Sequence, residues 1–519
     1  MITVRLWPAG TEIRVEKGTK LSKALLDMGI PLPVDCGQHG KCGKCAVWIV
    51  EKEEKRKIPA CTFPVTDDVT VLWSDREHVD GEHVDGEYTD GEPVYRQNTG
   101  DRHIEHIAGE AANGQKRCGE YADGAVAAAV DLGTTTVAAS LISLEDGECL
   151  GYEKHLNPQR RFGADVISRM EYGLASPEQF LYLCRMIRQE IYRMLQKMMN
   201  KNRLSPEQLR SVVVVGNPVM THLFCGLSLK GLARAPFHSE LENGYRAYLK
   251  ELDMERYPEA VCYVPPTLGG HVGSDFYACI VAKKFMHYPG AALLLDIGTN
   301  GEMGLCRDGS VTVTSTAAGP AFEGTGIRQG MTAVEGAICQ ASWNAESGKW
   351  DTVVVGEVPA KGICGSGLID VAAGLFSGGM MDKTGYLKEN PVRITGSGMQ
   401  GVRLWQEDIR SLQMAKSAIR SGLETLVEND GSMPDVLMLC GDFANALNIR
   451  NAKAIGLLPD RSGRIEICGN QALAGAEQLC RMSEEAQEKL AQEAKERIHH
   501  MELADSVCFQ EQFIKNMDF

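Results

Sequence analysis

The chain has 519 residues, 44% of them hydrophobic and 24% charged, which is ordinary for a soluble globular protein and too long for a single core. Its formal charge is −15, with 11 basic against 9 acidic side chains in residues 1–73, 5 against 13 in residues 74–125, and a net −9 beyond. No basic stripe is present to neutralise phosphates along a duplex, which argues against nucleic-acid binding. No apolar run reaches the roughly 18 to 20 residues that span a bilayer, which argues against a membrane protein. The opening MITVRLWPAGTEIRVEKG alternates apolar and polar residues and lacks the apolar block of a signal peptide, so a mature start here and a cytoplasmic location are expected. Of the 17 cysteines, four lie between residues 36 and 61. The others are scattered singly, mostly in apolar surroundings such as those of Cys262, Cys279 and Cys440, and are expected to be small buried thiols in a reducing, anaerobic-type cytoplasm.

Residues 2–7 (ITVRLW) and 11–16 (TEIRVE) alternate like a half-buried hairpin, and LSKALLDMG (21–29) has the period of a short helix closed by Gly29. VDCGQHGKCGKCAVWIVE, IPACTFPV and a strand near VTVLW follow, giving the element order of a β-grasp fold over residues 1–73. Cys36, Cys42, Cys45 and Cys61 stand at the spacing C-x5-C-x2-C-x15-C. A [2Fe–2S] cluster needs four converging thiolates, and three of these share one loop. Gly37, Gly40 and Gly43 between them permit close backbone approach, so amide groups can point at the cluster sulfurs. The alternative, structural zinc, usually draws its cysteines from two C-x2-C knuckles, and only one such pair is present. The loop closely resembles that of plant- and adrenodoxin-type ferredoxins, with a shorter final spacing.

Residues 77–91 contain three five-residue copies, EHVDG, EHVDG and EYTDG, within an acidic stretch over 74–124. Such a segment buries too little apolar surface to fold alone and is expected to be a flexible tether spanning roughly 40 Å. His78 and His83 beside carboxylates offer at most a weak metal site, and a solvated linker is the better reading.

AVAAAVDLGTTTVAASLISL (125–144) reads as strand, tight turn and strand, and ALLLDIGTNGEMGL (292–305) repeats the pattern. Each buried strand delivers an aspartate, Asp131 or Asp296, into a Gly–Thr turn. The turn amides and hydroxyls of Gly133, Thr134 and Thr135, and of Gly298, Thr299 and Asn300, suit phosphate oxygens, and the aspartates suit Mg²⁺ or its waters. One such turn is a weak signal; two at matching positions are a strong one.

This arrangement resembles the duplicated nucleotide-binding core shared by acetate and sugar kinases, heat-shock 70 chaperones and actin. The resemblance covers residues 125 to about 485 and implies an α/β multidomain protein that binds ATP and Mg²⁺. It places Gly441, Asp442 and Phe443 of VLMLCGDFANAL (436–447) in the adenosine-binding turn, with Asp131 and Asp296 as the catalytic carboxylates. VPPTLGGHVGSDFYACIVA and GNQALAGAEQLC become the small-residue helices that cross at the hinge, and residues 486–519 a helical tail.

TAAGPAFEGTGIRQGM (316–331) and GICGSGLIDVAAGL (362–375) are unlike generic kinase sequence. Joined to the N-terminal domain, they resemble the ATP-dependent reductive activators of corrinoid proteins, of which larger members carry a folded segment where this chain has the acidic repeat. The resemblance implies an ATP-hydrolysing electron-transfer activator. It would take an electron from a low-potential donor and pass it to Co(II) in the corrinoid protein of a methyltransferase system, regenerating Co(I). It also allows a homodimer through the nucleotide domain, which nothing in the chain itself establishes. A plant-type cluster sits near about −400 mV, so transfer to a lower-potential cobalt is uphill. Each 100 mV corresponds to about 2.3 kcal/mol, within reach of nucleotide-driven closure. No D-x-H-x-x-G string occurs, so the corrinoid is expected on the partner. The alternatives are an activator of another low-potential or radical enzyme, and a small-molecule kinase with a redox-sensing domain. The glycines of GICGSG are expected to pack, Asn217 and His222 to cap and pack, and Glu323 to sit in a loop facing the terminal phosphate.

Overall fold

A computed structural model describes residues 2–7, 12–28, 45–51, 54–72, 124–163, 165–298, 300–396, 401–430, 434–460, 463–503 and 506–519. Gly29, Cys36, Cys42, Thr299, His78, His83 and the acidic repeats lie outside the described residues. The chain divides into two compact units, one holding the elements of residues 2–28 and 46–72, the other Cys45 and Gly124–Phe519.

In the first unit β1 (Ile2–Trp7) and β2 (Glu12–Val15) form the expected hairpin, followed by α1 (Leu21–Asp27), β3 (Ala46–Glu51), β4 (Glu54–Pro59) and β5 (Val69–Leu72). The sheet order is β2-β1-β5-β3-β4, with β1 and β5 parallel at its centre. Leu21, Ala24 and Leu25 are spaced to fall on one face of α1, and all three are fully buried, as are Val4, Ile49 and Val71. The result is a β-grasp fold.

The second unit repeats one plan twice. Its first half runs β6 (Val126–Leu132), β7 (Thr136–Ser143), β8 (Cys149–Leu156), α2 (Val166–Ala175), α3 (Pro177–Lys201), β9 (Leu209–Gly216), α4 (Pro218–Cys225), β10 (Tyr245–Tyr248), β11 (Val261–Val264) and α5 (Ser274–Ala282). The second opens with β12 (Ala291–Ile297), β13 (Gly301–Arg307) and β14 (Ser310–Thr316). An excursion follows through β15 (Ala337–Asn344), β16 (Lys349–Val354), β17 (Gly362–Ile363), α6 (Gly365–Ser377), β18 (Val392–Arg393) and β19 (Arg403–Leu404). The half then closes with α7 (Gln406–Asp430), β20 (Val436–Cys440), α8 (Asp442–Asn445), α9 (Ile449–Ala454), β21 (Arg464–Gly469), α10 (Gln471–Cys480), α11 (Glu484–Arg497), β22 (Ile498–His500) and α12 (Val507–Lys515).

The two large sheets have the orders β10-β11-β9-β6-β7-β8 and β21-β20-β12-β13-β14-β22. In each, an antiparallel meander is extended by parallel strands on the far side of its first strand. That first strand is covered on both faces, so β6 and β12 read as apolar runs rather than alternating ones. Both bury every residue except the sixth, and the sixth is Asp131 in one and Asp296 in the other. The duplication expected from the two Gly–Thr turns is thus repeated in strand order and in burial.

Helices α5 and α10 meet between the halves. A Cβ on Gly475 would lie 2.0 Å from the Ala278 carbonyl oxygen, so only glycine permits this approach. The tail is less purely helical than expected: Ile498–His500 pairs in parallel with β14 at Val311–Val313, and α12 packs on α7. Three residues are too few to show strand periodicity, and the charged run before them masks the change. Among the described residues no helix is long and apolar enough to cross a membrane. Gly475→Ala is expected to destabilise the protein by about 1–3 kcal/mol through backbone crowding at this crossing, read as a lower denaturant midpoint with an unchanged m-value.

Candidate functional site

The two Gly–Thr turns face one another across a cleft of about 280 Å³ whose walls include Asp131, Thr135, Asp296, Asn300, Gly441 and Phe443. The first turn is clamped from below. The Gly133 carbonyl accepts from Asn157 Nδ2 at 2.9 Å, and the Thr134 hydroxyl accepts from Asn217 Nδ2 at 3.0 Å. The Thr134 carbonyl accepts from the guanidinium of Arg169, which is fully buried and also donates to the Gly163 carbonyl at 2.8 Å. Burial draws the Arg169 pKa down to about 9, offset in part by the charge of Glu323. Thr135 donates its hydroxyl to Glu323, which closes the short helical turn Pro320–Glu323 of the second half.

Four carboxyl groups gather at the floor. Asp296 lies directly across the β12–β13 ladder from Glu302, Asp131 is the penultimate residue of β6, and Asp275 stands in the first turn of α5. Burial is the first cause of their raised pKa values, with Asp131 pushed up to about 6, Asp296 to about 7 and Asp275 to about 8, and Glu302 well above its ordinary value. Mutual repulsion adds to it, since Asp131 and Asp296 raise Asp275, and Asp275 and Asp296 raise Glu302. Asn470 at the start of α10 offsets this by donating to Asp131 Oδ2 at 2.7 Å. Such a donor set attracts a divalent cation. Among the described residues no three ligating side chains form a preformed metal cage, so a cation here would also need phosphate oxygens or water.

On the second half, Gly441 has φ +88° and packs so closely on Asp296 that a Cβ would lie 2.6 Å from Oδ1. Asp442 forms an ion pair with Lys154 of β8 across the cleft. Phe443 stacks against Phe322 with ring centroids 5.3 Å apart. The Gly298 amide donates to the Asn300 carbonyl at 3.0 Å, making the second turn tight, while Thr299 lies outside the described residues. Gly365 of GICGSG packs against the Pro320–Glu323 turn, where a Cβ would meet the Phe322 carbonyl oxygen at 1.9 Å. Asn217 caps α4 by accepting from the Met220 amide at 3.1 Å, besides holding Thr134. His222 is fully buried, bonded to the Pro218 carbonyl at 2.7 Å and accepting from the Glu240 amide at 3.1 Å, so it packs rather than facing the cleft.

Cys45 immediately precedes β3 and Cys61 follows β4, at the end of the ladder where Ala46 pairs with Pro59. Both are buried, whereas Cys36 and Cys42 lie outside the described residues. Two of the four cysteines expected to hold a cluster therefore lie among the described residues. Sequence reasoning had not singled out Arg169, Lys154, Asp275, Glu302 or Asn470. Glu302 is a lone charge in the buried strand GEMGLC, a signal that was available; Arg169 sits in a helix whose charges look solvated.

Residues 290–519 match the model of the C-terminal domain of RACo, the ASKHA domain, and residues 126–288 match that of the RACo middle region. The chain carries RACo-family middle and C-terminal domains. Residues 5–67 match the 2Fe-2S iron-sulfur cluster binding domain, in agreement with the β-grasp unit. Among RACo-like proteins, the corrinoid activation enzyme RamQ of Eubacterium limosum is 28% identical, covering 98% of this chain and 97% of that protein. The [Co(II) methylated amine-specific corrinoid protein] reductase of Methanosarcina barkeri is 27% identical over 68% of this chain and 69% of its own length. A solved reductive activator for corrinoid, iron-sulfur protein shares the fold, with a TM-score of 0.69 at 24% identity over 100% of this chain and 98% of that one.

The sign of the carboxyl shifts gives a pH dependence. A carboxyl whose folded-state pKa is raised contributes stability that is present below its unfolded pKa and lost as pH rises through the folded value. For Asp275 that window runs from about pH 4, its unfolded value, to about pH 8. Without cation or nucleotide, Asp275→Asn is expected to stabilise the protein increasingly across this window, by up to about 1.4 kcal/mol per pH unit. Urea unfolding at pH 5 and pH 8 checks this; equal effects at both would show that Asp275 is not buried as a charge.

Proposed function

We propose that this protein is an ATP-dependent reductive activator of a corrinoid protein, returning Co(II) to Co(I) so that methyl transfer can resume. The observation that carries the reading is the joining of a 2Fe-2S domain to a RACo-type nucleotide core in one chain, together with a relative named corrinoid activation enzyme that aligns over nearly its whole length. A [2Fe–2S] cluster held by Cys36, Cys42, Cys45 and Cys61 supplies one-electron chemistry. Residues 74–124 serve as the tether, and the corrinoid belongs to a separate cytoplasmic partner.

In this reading the turn amides and hydroxyls of Gly133, Thr134 and Thr135, with Gly298, Thr299 and Asn300, hold the phosphates of ATP. Asp131 and Asp296 would hold Mg²⁺, with Asp275 and Glu302 beside them. A cation brought in with ATP would offset the repulsion among these carboxyl groups, which would favour the closed cleft. Gly441 and Phe443 flank the adenosine, and Asp442 must exchange or keep its bond to Lys154 as the nucleotide enters. Glu323 is placed by Thr135 to orient the attacking water. Its turn rests on α6 through Gly365, so a change at the terminal phosphate reaches the excursion between β14 and α7.

The test is anaerobic mixing of reduced protein with Co(II) corrinoid proteins, following Co(I) absorbance with and without Mg·ATP. Co(I) is expected only with ATP. Cys36→Ser should abolish Co(I) formation while preserving ATP turnover, and Asp296→Asn should abolish both. Wild-type Co(I) formation by the Cys36→Ser protein would falsify the assignment. A panel of corrinoid proteins that all stay Co(II) despite ATP turnover would shift the reading to an activator of another low-potential enzyme. Glu323→Gln is expected to slow ATP turnover on the order of 10²-fold with little change in Mg·ATP affinity; a wild-type rate would remove it from the chemistry.

A further inference from the structure

Six carboxyl groups line the cleft, those of Asp131, Asp275, Asp296, Glu302, Glu323 and Asp442, and among the described residues lining it Lys154 is the only cation. The guanidinium of Arg169 lies beneath the first Gly–Thr turn and is spent on the Thr134 and Gly163 carbonyls. A nucleotide brings further negative charge to this place, so the position and partners of Lys154 matter.

The first sheet aims Lys154 at the cleft. Asp131 of β6 stands opposite Ala138 of β7, and Ala138 stands opposite Lys154 of β8. Residues directly opposite in antiparallel ladders share a face, so the three form one row with only a methyl group between the two charges. Glu153 and His155 take the other face, where His155 bonds to Glu190 of α3 at 2.6 Å. From its row the Lys154 ammonium reaches the second half and pairs with the carboxylate of Asp442, beside Gly441 of the adenosine turn. Partial burial works to lower the Lys154 pKa, but the bond and charge of Asp442 outweigh it, so the ammonium stays charged. The two side chains remain 38% and 50% exposed. Ion pairs so open to water contribute little to stability, and Lys154 can leave Asp442 at low cost.

We propose that Lys154 is a nucleotide-binding residue that leaves Asp442 for the phosphates nearest the adenosine, making the Lys154–Asp442 pair the contact an entering nucleotide replaces. The proposal rests on the nucleotide reading above and adds a ligand-contacting residue to it. The place along the nucleotide follows from what lies on either side of the ammonium. Asp131 leads into the first turn, whose Thr135 bonds Glu323 at the terminal-phosphate end. Asp442 follows the glycine of the adenosine turn. The ammonium between them meets the α- and β-phosphates, which ATP and ADP share. Lysine suits this task as a compact point charge with three rotatable donors. In the empty cleft Asp442 opposes binding twice, by occupying the lysine and by repelling the phosphates with its own charge.

The experiment uses the full-length, cluster-loaded protein under anaerobic conditions, with calorimetric titration of Mg·ATP and Mg·ADP. Lys154→Ala is expected to weaken the binding of both by about tenfold or more, and Lys154→Arg, which keeps the charge, to lose less. Asp442→Asn is expected to tighten both. Opposite signs separate a phosphate contact from a latch, because a pair that only holds the halves together is broken equally by either substitution. Changes of the same sign, or unchanged affinities in Lys154→Ala, would overturn the proposal and leave the nucleotide reading intact. A loss confined to Mg·ATP would overturn the placement at the shared phosphates. Lys154→Met keeps the stem and removes the charge, and gives the same test if the alanine variant does not fold. Absence of Mg·ATP binding in the wild type would overturn the nucleotide reading and the role of Lys154 together.

Discussion

Asp131, Asp275, Asp296 and Glu302 converge at the floor of the cleft, Glu302 buried and the other three half-buried, and the carboxyl groups of Asp131, Asp275 and Asp296 oppose the ionisation of their neighbours. Burying even one carboxylate without a partner is unfavourable by several kcal/mol, so a folded protein keeps four together only if a cation is a regular visitor or if protons fill the gap. Much of the second unit can be read as the framework that makes this convergence possible. The twin sheets bring two strand ends to one place, and the Gly475 crossing lets α5 and α10 deliver Asp275 and Asn470 to it.

The same constraint explains the links between the halves. Thr135 to Glu323, Asp131 to Asn470 and Lys154 to Asp442 each join a residue of the first half to one of the second. All three involve side chains at or beside the proposed phosphate and adenosine positions. A ligand at this site must therefore compete with, or take over, the contacts that hold the cleft together. Binding and closure are then one equilibrium, which is the property required of a protein that converts nucleotide state into a change of shape.

Legibility in the sequence followed the range of the interactions. Asp131 and Asp296 stood out because an apolar strand, a carboxylate and a Gly–Thr turn are contiguous, and their duplication was visible as a repeated string. The β-grasp unit was legible for a similar reason, since period-2 alternation and a short helix are local signals. Arg169 was not, because the carbonyl it holds is 35 residues away and its helix carries the charges of a solvated face. Asp275 was hidden as an ordinary acidic residue in the first turn of a helix, where the helix dipole alone would justify it. Gly475 lies in a helix expected to cross at the hinge through small residues and Gly365 among glycines expected to pack, yet only the tertiary approach of Ala278 and Phe322 shows which positions exclude a side chain. The strand Ile498–His500 is defined by its partner Val311–Val313 rather than by its own pattern.

The distribution of thiols bears on how the two chemistries are kept apart. The four motif cysteines fall within residues 36–61, while those of the nucleotide core at positions 262, 279, 440 and 480 are buried and held protonated, with pKa values raised first by burial at Cys262 and Cys480. A thiol that stays protonated is a poor ligand for iron, so the core offers little competition for the cluster. In the proposed function, electron delivery and nucleotide turnover are coupled through a third body. That body is the corrinoid protein, which must be recognised in a way that depends on the cleft. On this logic the excursion from β15 to β19 matters more than the phosphate turns for specificity. The turns follow the common plan of the two halves, whereas the excursion touches the Glu323 turn from outside that plan.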